Sequence, residues 1–85
     1  MFRVVWNRRA LNQLAIIWTA AADQNTVTAA SYAIDQALAR DPDNEGESRP
    51  NHRRVTYSSP LGVRFRVYKD RNLVRVLACW QIRQV

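Results

Sequence analysis

The chain is 85 residues long and 47% apolar, with two Gly and three Pro; that length admits one small core, so a single domain over 1–85 is expected. One cysteine and one histidine exclude an internal disulfide and argue against a zinc site, so neither metal nor cofactor is expected. The formal net charge is +6, no run approaches the roughly 20 apolar residues of a membrane span, and a reducing, cytoplasmic setting with no membrane partner is expected.

Residues 2–6 (FRVVW) are β-branched and aromatic and read as a strand. Asn7 can cap a helix running to about Ala22, whose apolar residues Leu11, Leu14, Ile17, Trp18 and Ala21 recur at three- and four-residue steps. Residues 23–25 break it. Thr26 can cap a second helix with Val27, Ala30, Ile34, Ala37 and Leu38 on one side. Asp41 before Pro42 ends that helix, because the residue before proline is pushed out of the helical region. So short a break implies an antiparallel helical hairpin, in which Ala29, Ala30, Ala33 and Ala37 would allow close approach.

Residues 43–50 (DNEGESRP) are polar and aperiodic and read as a loop, with Asp41, Asp43, Glu45 and Glu47 spaced as solvated acids and not as a metal site. Residues 52–58 form an expected edge strand, with Arg53, Val55 and Tyr57 on one side and His52, Arg54 and Thr56 on the other. Residues 60–82 read as two strands joined by a turn at Asp70, Arg71 and Asn72. In the first, Leu61, Val63, Phe65 and Val67 share the core face while Arg64, Arg66 and Tyr68 share the other. In the second, Val74, Val76, Ala78, Trp80 and Ile82 alternate with Arg75, Leu77, Cys79, Gln81 and Arg83. Trp80, Trp6 and Trp18 are accordingly expected in the core or on the helix stripe, and Cys79 on the open side without a role.

The order is strand, helix, helix, strand, strand, strand. That is an α+β fold, a small antiparallel-rich sheet with the helical hairpin on one face and nothing left to cover the other. The bare face is expected to carry Arg64, Arg66, Tyr68, Arg75 and Arg83, with Arg54 beside them. The charge supports this placement: residues 1–47 hold four Arg against six acids (−2), whereas residues 48–85 hold eight Arg and Lys69 against Asp70 (+8). Arginine suits forked contact with phosphate, and like charges on neighbouring strands cost stability unless a partner neutralises them.

The helix text ALNQLAIIW (10–18), the segment AIDQALARDPDNEGE (33–47), and VRFRVYKD (63–70) followed by LVRVLACW (73–80) resemble the RelE/ParE superfamily, the toxins of bacterial type II toxin–antitoxin pairs. The resemblance implies an acidic antitoxin as partner and either message cleavage in the ribosome (the RelE branch) or poisoning of DNA gyrase (the ParE branch). In the cutting branch it implies a central-strand Arg, here Arg64, and basic residues near the end of the last strand, where only Arg83 stands in. A C-terminal segment with a functional Tyr, found in some members, is expected to be absent beyond Val85.

Cutting RNA through its 2′-OH needs a base, cations for the charge on phosphorus, and an acid. Arg64, Arg66 and Arg83 supply the cations. Tyr68 is the candidate proton carrier, although an unperturbed phenol titrates near pH 10. His52 and Lys69 read as solvated. The candidate catalytic set is therefore Arg64, Arg83 and Tyr68, and the candidate nucleic-acid set Arg54, Arg64, Arg66, Arg75 and Arg83. An RNA-binding or RNA-cutting toxin, a toxin acting on a protein such as gyrase, and a non-catalytic nucleic-acid module all remain open at this point.

Overall fold

The computed structural model describes residues 1–82. Strand β1 (Arg3–Trp6) leads into helices α1 (Arg8–Ala20) and α2 (Gln24–Arg40), and strands β2 (Glu47–Arg49), β3 (Arg53–Ser58), β4 (Leu61–Tyr68) and β5 (Leu73–Gln81) follow. They form one sheet in the order β1-β5-β4-β3-β2. The expected α+β architecture is found, with one strand more than the sequence pattern showed. β1 runs parallel to β5, and the remaining pairs are antiparallel. Among the described residues, no helix is long and apolar enough to cross a membrane.

Local chemistry sets the helix ends. The Asn7 side chain accepts a hydrogen bond from the Ala10 N–H at 2.8 Å, closing one of the free donors of the first turn of α1. The second helix begins earlier than expected, because Asp23 and not Thr26 caps it. One Asp23 oxygen accepts from the Asn25 and Thr26 amides and the other from the Thr26 hydroxyl. These hydrogen bonds, the one from the Thr26 hydroxyl first, favour the ionised carboxylate and hold its pKa below the usual value. α2 stops at Arg40, before Asp41 and Pro42, as the proline requires.

The hairpin lies across one sheet face. Ala10, Val27, Ala30, Ile34 and Leu38 from the helices meet Leu61, Val63, Phe65, Val74, Val76 and Cys79 from the sheet in one buried cluster. The outer side of the hairpin is less covered than the expected stripe implied. Leu11, Ile16 and Trp18 stand exposed, and the Trp18 indole N–H donates to the Thr28 hydroxyl oxygen. Ala29 and Ala33 also face solvent and do not bring the helices together. Trp6 packs against the core as expected, and its indole N–H donates to Asp35 Oδ1 at 2.6 Å, tying β1 to α2.

β1 ends opposite Val76, so the edge of β5 beyond that residue has no neighbouring strand among the described residues. Helix α1 covers the gap. Gln13 Oε1 accepts from the Cys79 N–H at 2.8 Å, giving a buried edge amide the partner it would otherwise lack.

Candidate nucleic-acid interface

Residues paired across a sheet share a face, and successive residues alternate. Across β4 and β5 the register is Val63 with Cys79 and Arg64 with Ala78, then Phe65 with Val76 and Arg66 with Arg75. One residue of β5, Leu77, has no partner: it is a β-bulge, and it reverses the alternation of everything that follows. Cys79 therefore turns into the core, where it is 3% exposed, and Trp80 turns out to the bare face. Both positions are opposite to those expected from strict alternation.

Burial pushes the Cys79 thiol up to about 11. With so little thiolate, native Cys79 should react with iodoacetamide at pH 8 roughly a hundredfold more slowly than an ordinary thiol and at full rate in denaturant. Equal rates in the two conditions would contradict the buried placement.

The face away from the helices carries Arg3, Arg49, Arg53, Arg64, Arg66 and Arg75, placed there by the register of all five strands. Four of them lie along one line across the strands. Arg49 pairs with Arg53, Arg66 pairs with Arg75, and Arg53 is the next residue along β3 toward Arg66. The only carboxylate on the strand positions of this face, among the described residues, is Glu47, which is 3.2 Å from Arg49 Nη1. Arg64 and Arg75 have no hydrogen bond or ion pair among the described residues. Arg66 lies over the Tyr68 ring with its guanidinium carbon 4.9 Å from the centroid.

Arg49, Arg53, Arg64 and Trp80 surround an open hollow of about 480 Å³ floored by Val55. The turn beside it is tight. Asn51 and His52 both have positive φ, 64° and 62°, and Arg53 N–H donates to the Pro50 carbonyl, closing a tight turn in the three-residue loop between Arg49 and its partner Arg53. The β2–β3 hairpin is what the sequence pattern missed: residues read as loop form β2 and bring Arg49 and Glu47 onto the face. His52 is exposed in the turn, consistent with its reading as a solvated residue.

The candidate residues are only partly brought together. Arg64, Arg66, Tyr68 and Arg75 share the bare face as expected. Arg54 does not: it pairs with Phe65, on the helix side. Its guanidinium donates to the carbonyls of Glu45 and Gly46 and to the Ser48 hydroxyl, so it fastens the segment before β2 and is not free for phosphate. Tyr68 is four residues along β4 from Arg64, roughly 13 Å, and does not reach the hollow. Arg83 lies outside the described residues. Arg53, Arg49 and Trp80 take the places around Arg64 that sequence reasoning had given to others.

No protein-family model matches the chain, and no curated protein matches it. Solved structures do. The chain is similar to the RelBE2 toxin–antitoxin complex of Mycobacterium tuberculosis (TM-score 0.75, 14% identity, 94% of this chain and 96% of that one). It is also similar to the chromosomal ParDE toxin–antitoxin system of P. aeruginosa (0.66, 17%, 98% of each) and to the intact E. coli RelBE complex (0.63, 12%, 99% and 100%). At these identities the likeness establishes the fold: this chain has the RelE/ParE-like architecture that its sequence resembles.

Proposed function

We propose that this chain is the toxin of a type II toxin–antitoxin pair, that its bare sheet face binds the phosphate backbone of RNA, and that an acidic antitoxin neutralises it. The observation that carries the reading is Arg64, a central-strand guanidinium without a partner among the described residues, standing in a hollow with Arg49, Arg53 and Trp80. A phosphodiester between these groups would receive forked, charge-assisted hydrogen bonds of the kind arginine supplies better than lysine. Three solved structures similar to this chain are toxin–antitoxin complexes, which supports the partner; a disordered acidic peptide that folds on docking suits so basic a surface.

Binding and cutting make different demands. Arg64 and its neighbours can stabilise charge building on phosphorus, but a guanidinium does not give up its proton in ordinary proteins. Cutting would draw its base from Glu47, which shares a row with Val55 and Arg64, two strands and so roughly 10 Å away. Arg49, which lines the hollow, donates to that carboxylate.

Induced expression with primer-extension mapping of messages tests the reading. Growth arrest accompanied by new 5′ ends is expected. Harmless accumulation of folded protein would overturn the toxin assignment, and arrest with intact messages and blocked replication would move the target from RNA to a protein such as gyrase.

A further inference from the structure

Trp80 faces Gly62 across the β4–β5 pair and Tyr57 one strand further on. A methyl group at Gly62 would stand 2.6, 2.7 and 3.0 Å from Nε1, Cε2 and Cζ2 of the indole. Near-equal distances from one point on the strand mean that the ring lies flat across it, pressed on the backbone where only glycine leaves room. The Tyr57 ring meets the indole edge-on, with centroids 6.3 Å apart and planes at 79°. One indole face is thus used by the sheet and one edge by Tyr57. Trp80, only half-buried, also lines the hollow that Arg49, Arg53 and Arg64 surround.

Resting on the RNA reading above, we propose that Trp80 is the platform on which one unpaired nucleobase of the bound strand stacks, while Arg64 and Arg53 hold its flanking phosphates. A fixed aromatic face beside guanidinium groups serves a nucleotide, because stacking uses the base and the cations use the backbone. It selects single-stranded substrate, since a base in a duplex has both faces occupied. Stacking itself tolerates any base, because every base has a π-face. Tyr57, 55% exposed, keeps the indole from rotating off the strand and is a positioning residue.

The test uses the full chain, a short single-stranded 2′-O-methyl oligouridylate carrying one 2-aminopurine, which cannot be cut, and inorganic polyphosphate, which has charge but no base. Wild type should bind both and quench the 2-aminopurine fluorescence. Trp80→Leu should weaken the oligonucleotide about tenfold while leaving polyphosphate within about twofold, and Trp80→Phe should recover most of the loss. If Trp80→Leu weakens both polymers equally, or weakens neither, the platform is wrong while the RNA reading stands. If wild type binds polyphosphate but not the oligonucleotide, or binds neither, the RNA reading falls and the platform with it.

Discussion

Arg64→Ala should bind a short single-stranded RNA roughly tenfold to a hundredfold more weakly than wild type, the range expected when a hydrogen bond to a charged group, about 1.5–3 kcal/mol, is lost. The slope of log affinity against log salt should fall by about 0.7, one phosphate's worth of released counterion for a single strand. Stability should change by no more than about 0.5 kcal/mol, because the guanidinium has no partner among the described residues and its cross-strand neighbours are Val55 and Ala78. Arg64→Lys separates charge from shape. It should keep the salt slope and lose most of the affinity, since an ammonium cannot make the forked contact. Isothermal titration at several salt concentrations reads both quantities. An Arg64→Ala chain that binds like wild type, with the slope intact, would remove Arg64 from the interface.

The largest loss of stability is expected from Gly46→Ala. Gly46 has φ +65°, a conformation that costs an alanine about 1–2 kcal/mol. Its new methyl group would overlap the Val55 carbonyl oxygen and lie 2.7 Å from the Val55 carbonyl carbon and 2.9 Å from Thr56 Cα. Those atoms are strand backbone and cannot rotate aside. Together with the displacement of β2 the cost should reach roughly 3 kcal/mol, a large share of the 5–15 kcal/mol that holds a domain together. The consequence extends to binding. β2 carries Arg49 and Glu47, and the segment before it supplies the carbonyls that Arg54 grips. RNA affinity should therefore drop along with the urea midpoint. A variant with unchanged unfolding would mean that the β2–β3 hairpin yields without cost.

Periodicity made most of this fold legible. Leu61, Val63, Phe65 and Val67 alternate with Arg64 and Arg66, and that alternation alone separated the buried face of β4 from the basic one. Asn7 and Pro42 marked helix ends because a cap and a proline act over one or two residues. What escaped was what alternation cannot encode. A bulge leaves no mark in a period of two, so the single unpaired Leu77 exchanged the places of Cys79 and Trp80; the one hint was Gly62, a strand glycine that makes room for an aromatic ring across the pair. Residues 47–49 are too short and polar to announce a strand, and without β2 neither Arg49 nor Glu47 could be placed. Arg53 and Arg54 were correctly split between two sides. Choosing the right member of that pair required the β3–β4 register, which sets Arg54 beside Phe65, and the acceptors that Glu45, Gly46 and Ser48 supply once the segment around β2 has its shape.

β1 is hydrogen-bonded along β5, Arg3 standing beside Leu73, a partner 70 residues later (73 − 3). The seam of the sheet is therefore stitched by the last of the described strands to be synthesised. Without it, no strand joins β1 to the β2–β4 ribbon, so Arg3 and Arg64 share no sheet. The row from Arg49 through Arg53 and Arg66 reaches Arg75 only when β5 pairs with β4, and Arg3 joins the face only through β5.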